Sequence, residues 1–270
     1  VSNVYCGKYA FIDIHSGSYS IFTAVLGSSL VTIKSSWSKS GSGSGYPSGQ
    51  STIITNEYIA NILNAYGFED VNGNYGAGNY ANWMENELED GSLYMNYRGF
   101  MGASGFGSSN INNASNGYKN PFAVFITCGT GSYNSTCLSE EFFRAGSVSN
   151  PKGAVASVGT ATSGTHTLFN NIVNMGIYDG IFPKNLQYAG AAMANGRLSL
   201  LQTYPDDPNN WVSIFSYWNN LIGDPALRLW TDTPENMFVD FDSIVTEGEN
   251  FIDVLVTNED GLPVNNASIT

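Results

Sequence analysis

Charge is scarce in this chain. Only 12% of its 270 residues are Asp, Glu, Lys or Arg, about half the share usual in globular domains, so other groups must keep the surface wet. Asn, Ser, Thr, Gly and Tyr take that part, with Tyr at 16 positions and Gly at 30, and a neutral polar coat of this kind points to an extracellular setting. Cations are scarcest: ten Lys and Arg against 23 Asp and Glu leave a net charge of −13. Phosphate binding needs clustered cations, so nucleic acid is excluded as a partner, and an anionic membrane surface is disfavoured for the same reason. Long apolar runs are also missing; none reaches the roughly 18 residues that read as a membrane span. The acidity itself reads as solubility. Cysteine occurs three times, an odd number, which in an exported protein predicts one disulfide and one free thiol. Cys6–Cys137 is the expected pair, leaving Cys128 free. The chain starts at Val1 without a leader, and both ends read as cut.

What is plentiful is core material. Hydrophobic residues make up 42%, enough for one large domain or one domain with part of a second. Residues 9–14 (YAFIDI) alternate as a strand, residues 20–34 read as another, and SSWSKSGSGSGYPSGQ is a Gly/Ser-rich loop. Ile59, Ile62, Leu63 and Tyr66 fall at helical spacing before the stop signal Gly67. A second helix is expected over 79–90, then a short strand over 92–97. PFAVFIT (121–127) is a continuous apolar run, the pattern of a central parallel strand covered on both faces. Helices over 138–145, 167–175, 185–203 and 211–219 and a strand over 153–159 follow, and LIGDPALRLW leads into a last strand. This alternation predicts an α/β fold with a parallel sheet. From about Pro234 the pattern turns to period two with an Asp-Gly turn, which reads as the opening strands of a β-sandwich. The expected domains are therefore 1–233 and 234–270, with the first read as cut at its amino terminus.

Ligands of open parallel sheets bind beyond the carboxyl ends of the strands. Three Gly/Ser/Thr-rich segments reach that edge: MNYRGFMGAS, TCGTGSYNSTC and GTATSGTHT. A thiol at the end of the middle strand, followed by Gly129 and Gly131, is placed for nucleophilic attack, with backbone amides nearby to hold an oxyanion. On spacing alone, an inert buried thiol is the other reading. Tyr94, Tyr97, Phe100, Phe106, Tyr118 and Tyr133 cluster in the same segments, either lining a peptide or carbohydrate groove or packing as core and rim.

FAVFITCGTG, CLSEEFFRAG, KGAVASVG and NNLIGDPALRLW, in that order, resemble the gingipain-type cysteine peptidases, relatives of caspases and legumain. The resemblance covers about 50–230. It implies a caspase-like three-layer α/β sandwich with a mostly parallel central sheet, followed by the start of an immunoglobulin-like β domain. It further implies a secreted or cell-surface endopeptidase acting on protein or peptide substrates. Cys128 falls on the nucleophile, and the amides of Gly99, Gly102 and Gly129 lie where an oxyanion would be held. Cys137 and Glu140 fall on a Cys-x-x-Glu segment opening the next helix, where Glu140 reads as a carboxylate complementing the helix dipole. Asp224 reads as a turn or cap residue.

One departure stands out. The family's base is a His in a pattern like Asn-Tyr-x-Gly-His-Gly-Ser, whereas this chain runs Asn96-Tyr97-Arg98-Gly99-Phe100-Met101-Gly102-Ala103-Ser104. Phe100 takes the histidine position. Of the two histidines, His15 reads as a surface residue. His166 follows the 153–159 strand and is expected at the same edge as Cys128, as a surrogate base or as a polar loop residue. No cofactor is expected; calcium is compatible with the family, but no dedicated loop can be assigned. Two functions follow: a peptidase, or a catalytically inactive scaffold serving as a surface, adhesion or assembly module, with self-assembly left open.

Overall fold

The computed structural model describes residues 22–26, 29–33, 48–74, 80–206, 210–232, 236–241, 248, 253–265 and 267. Cys6, His15, the expected strand over 9–14 and most of the Gly/Ser-rich loop lie outside them. The chain forms two compact units, Val1–Thr231 and Asp232–Thr270. Chain order in the first is β1 (Phe22–Leu26), β2 (Ser29–Ile33), α1 (Ser48–Ala65), α2 (Ala81–Asp90), β3 (Tyr94–Met101), α3 (Ser108–Asn113) and β4 (Phe122–Cys128). It continues through α4 (Leu138–Arg144), β5 (Gly146–Ser147), β6 (Asn150–Pro151), β7 (Ala156–Thr160), α5 (Thr167–Ile181), α6 (Ala189–Thr203), α7 (Trp211–Trp218) and β8 (Asn219–Ile222). The second unit contributes β9 (Phe238–Phe241) and β10 (Val254–Thr257), paired antiparallel.

The central sheet runs β3-β4-β7-β8. Strand β4 lies between parallel neighbours on both sides, and its side chains alternate between two cores. Phe122, Val124 and Ile126 pack with Tyr58, Ile59 and Ile62 of α1 and with Ile172, Val173 and Tyr178 of α5. Ala123 and Phe125 point the other way, against Met84 and Leu88 of α2, Ile111 of α3 and Phe142 of α4. Helices thus cover both faces of the sheet, which makes the three layers, and an apolar run without alternation is what such a strand requires.

The last strand departs from the parallel expectation. Strand β8 pairs antiparallel to β7, with Asn219 opposite Thr160. Helix α7 ends at Trp218 and β8 begins at the next residue, beside the carboxyl end of β7. No chain is left there to cross back to the other end of the sheet, so the strand has to run in reverse. The sheet is mixed and mostly parallel. Four further features were not anticipated: the β1–β2 hairpin where one strand over 20–34 was expected, the short α3, the β5–β6 hairpin, and α5 running on to Ile181. Helices α5 and α6 approach closely because glycines face each other; a Cβ on Gly176 would collide with Gly196 and Ser199. Among the described residues no helix is long and apolar enough to cross a membrane.

Candidate active site

Cys128 is the last residue of β4, half-buried, where the fully buried run Phe122–Thr127 gives way to a turn. Gly129 sits at φ +76°, left-handed backbone that only glycine adopts without strain. Its N–H donates to Thr162 O at 3.0 Å, and Gly131 N–H donates to Thr160 O at 3.0 Å, so the turn is laced along the end of β7. Buried Thr130 accepts the Thr160 N–H at 3.2 Å and donates to Phe125 O at 2.5 Å. A Cβ at Gly131 would strike the backbone of Gly159, so this seam closes only with glycine at both positions. The arrangement holds the Cys128 sulfur at a fixed place on the sheet edge.

Across the strand, β3 slips register between Arg98 and Met101, so that Met101 rather than Phe100 pairs with Cys128. Gly99 and Phe100 form the bulge. A Cβ at Gly99 would run into the Tyr97 ring, and Gly102 begins the following turn at φ +56°. The expected oxyanion amides thus stand in different situations. Gly99 lies in the bulge and Gly102 just after it, beside Cys128, whereas the Gly129 N–H is already spent on Thr162.

The third approach comes from α5. The Cys128 sulfur lies 3.2 Å from Thr165 Oγ1, within hydrogen-bond reach. The next residue, His166, is the N-cap of α5: its Nδ1 accepts the Leu168 N–H at 3.2 Å, leaving the proton of a neutral ring on Nε2. Its ring meets Phe169 edge-on at 5.9 Å, and Phe169 in turn packs with Tyr204, Trp211 and Phe215. His166 therefore stands at the sheet edge anticipated for it, one residue from the group that touches the thiol.

Two residues missed by sequence reasoning lie directly beneath. Arg98, on β3, is 4% exposed. Its Nε and Nη2 donate to Asn171 Oδ1 at 2.9 and 2.6 Å, Nη2 reaches Thr167 O at 3.3 Å, and Nη1 donates to Ile126 O and Gly99 O. Burial pushes the guanidinium down to about 9, while the neighbouring Cys128 and Tyr97 pull it back up. The signal was present: a lone Arg within the strand YMNYRGFM has no solvent-facing explanation once both faces of that strand are covered.

Of the other predicted positions, Cys137 is a buried free thiol at the N-cap of α4; Cys6, its expected disulfide partner, lies outside the described residues. Glu140 stands in the first turn of α4 and pairs with Arg144 at 2.7 Å. Asp224 accepts the Ala226 N–H at 2.8 Å, a turn role. Of the aromatic set, Phe106 is core, stacked on Phe125, while Tyr118 and Tyr133 are exposed. Among the described residues no group of three or more His, Cys, Asp or Glu converges to hold a metal ion.

Comparison with known proteins places this geometry. Residues 35–230 match the model of peptidase family C25. Gingipain R2 of Porphyromonas gingivalis is 26% identical over 201 residues, covering 71% of this chain and 27% of the relative. Gingipain R1 of the same species is 25% identical over 201 residues, covering 71% of this chain and 20% of its own length. The chain thus spans a small fraction of these curated relatives. Among solved structures, the crystal structure of the Arg-specific cysteine proteinase gingipain R superposes with a TM-score of 0.64 at 22% identity, covering 76% of this chain and 49% of that one.

Proposed function

This chain belongs to peptidase family C25, and from that premise we propose that its first unit hydrolyses peptide bonds of protein or peptide substrates with Cys128 as nucleophile. The observation that carries this reading is the fixed thiol at the carboxyl end of the central strand, touching Thr165 at 3.2 Å next to His166. The thiolate attacks the scissile carbonyl carbon, forming a C–S bond, while backbone amides around Gly99 and Gly102 face the oxyanion. The intermediate collapses and expels the amine, which takes the proton that His166 received from the thiol; water then hydrolyses the thioester. For this, His166 must present an unprotonated nitrogen, either by releasing its hold on Leu168 or by shifting the ring proton from Nε2. An electrophilic peptide probe tests the nucleophile in folded protein at neutral pH. The expected result is an adduct on Cys128 that disappears in Cys128→Ala, and no adduct would sink the reading. His166→Asn keeps a good helix cap and should lower kcat by about 10²–10⁴-fold if the imidazole moves the proton.

A second reading is favoured by one feature, Phe100 at the position where the family carries its histidine. On that reading the domain is an inactive scaffold serving as a surface, adhesion or assembly module, and Cys128 gives neither adduct nor turnover. We further propose secretion or display at the cell surface, supported by the sparse charge and the neutral polar coat. The second unit is proposed as the opening of an immunoglobulin-like sandwich. Its β9–β10 pair leaves Val239, Phe241 and Val254 exposed on one face, the apolar face a second sheet would cover.

A further inference from the structure

A buried cation needs an anion, and the first unit contains one without a carboxylate. Among the described residues the ion pairs are Arg144–Glu140 and Lys184–Asp179. Arg98 has only neutral acceptors: three main-chain carbonyls and the Asn171 amide. Stranding a guanidinium in this way costs several kcal/mol even when every N–H is satisfied, and an arrangement selected only for stability would place Asp, not Asn, at position 171. The carbonyls it holds belong to Ile126, two residues before Cys128 on β4, and to Thr167, two residues after Thr165 on α5. The guanidinium therefore clamps together the two segments that meet at the Cys128 sulfur.

We propose that Arg98 is the positioning cation of this site: it holds β4 against α5, and its unneutralised charge favours the thiolate of Cys128, supplying from beneath the sheet the positive charge that the family places beside the thiol as an imidazolium. The sulfur loses its proton to solvent or to His166, and the electron pair left on it faces the buried positive charge. The inference rests on the reading of Cys128 as a nucleophile, but it concerns ionisation alone. The surroundings leave few competitors for this role. The neighbouring turns 129–132 and 161–165 carry no charged side chain, nor does β7. Strand β3 adds Tyr97, α5 adds His166 at its start and Asp179 near its far end, and α4 adds Glu140, Glu141 and Arg144, the first and last paired with each other. Asn171 is what keeps the charge of Arg98 available. Its single Oδ1 accepts two N–H groups where a carboxylate would fit, but without a carboxylate's charge.

The test reads the thiol, not the peptidase. Cys128 in the whole chain is alkylated with iodoacetamide, a small neutral electrophile whose iodide the thiolate displaces, and the rate is followed against pH by mass spectrometry of the Cys128 peptide. Cys137 serves as the internal buried control. Wild type is expected to be alkylated faster at pH 6.5 than either of two charge variants, because the thiolate is the reacting form. Arg98→Gln removes the charge, and Asn171→Asp neutralises it in place with almost no change in shape. Both should slow alkylation at pH 6.5 by roughly tenfold while converging on the wild-type rate at high pH, whereas His166→Asn should slow it less. Asn171→Asp gives the guanidinium a partner and is expected to fold even if Arg98→Gln does not, so the question stays decidable. A folded Asn171→Asp protein alkylated at the wild-type rate across the pH range overturns the proposal. That result leaves the peptide-probe outcome standing on its own: slower alkylation of the variants without a peptide adduct in wild type would retain Arg98 and remove the peptidase reading.

Discussion

At the scale of the residue, this protein buries polar groups deliberately. Asn170, Asn171 and Asn174 all lie on the buried part of α5, where a purely apolar face would be expected. Each has a partner across a layer: Asn219 on β8, Arg98 on β3, and Asn96 on β3. Such ties fix the register of α5 on the sheet, and that register sets where Thr165 meets the thiol. Asp179 belongs to the same helix and is 1% exposed. Lys184 reaches its carboxylate at 3.0 Å and also donates to Asn195 Oδ1 at 3.0 Å. Removing the lysine strands a buried anion. We expect Lys184→Met to cost about 3 kcal/mol, the lower end for breaking such a pair because the lysine is partly solvated. Adding Asp179→Asn should recover much of that loss, as read by urea unfolding. A single variant within about 0.5 kcal/mol of wild type would show that the pair contributes little.

At the scale of the element, β4 organises the first unit. Phe125 is at the centre of one face, with Tyr97, Phe106 and Phe142 at ring separations of 5.8, 5.7 and 5.6 Å. Truncating it empties a site enclosed by the rigid sheet and three helices, which cannot collapse inward. Phe125→Ala should therefore lose about 3–5 kcal/mol, while Tyr217→Ala, on an exposed face of α7, should stay within about 0.5 kcal/mol. Comparable denaturation midpoints for the two would contradict this packing. Much of this level was legible beforehand. The run PFAVFIT announced a strand with two covered faces, and helix-period apolar spacing announced α1 and α2. Helix α3 and the β5–β6 hairpin were not legible, because Ser, Asn and Gly carry little propensity and both elements are held by contacts made elsewhere. Lys152 Nζ, for instance, donates to Asn112 O, and buried Asn116 grips Gly153 from both sides. The reversal of β8 was illegible for another reason: strand direction depends on where the preceding helix ends in space.

At the scale of the whole molecule, the chain is acidic and rich in phenols, and its response to alkali follows from the buried ones. Burial holds the phenols of Tyr58, Tyr94 and Tyr178 well above their ordinary range, with Asp179 adding to the effect on Tyr58. A group whose pKa is raised by folding contributes stability that is present below its unfolded value and lost as pH rises beyond it. Arg98 acts in the opposite sense, because its pKa is lowered to about 9, so the penalty for burying it fades as pH rises above that value. Three tyrosines outweigh one arginine. Stability should hold up to about pH 10 and then fall steeply, with a group of phenols ionising only on unfolding. Absorbance titration at 295 nm beside circular dichroism checks this; smooth ionisation of every tyrosine before any loss of ellipticity would refute it.

The sequence by itself determined the class of this protein, because periodicity and the order of its motifs are local properties: a parallel α/β sheet, a thiol at the end of its central strand, and a family resemblance with one residue out of place. It also raised the expectation that Phe100 stands where the family carries its histidine. What it did not contain is what lies beneath that thiol. Arg98, Asn171 and Thr165 lie far apart along the chain, and their meaning comes from which face of the sheet each one reaches. Only the packing of α5 on β3 and β4 brings them to Cys128, and only the loss of water around Arg98 turns an ordinary strand residue into an unneutralised charge.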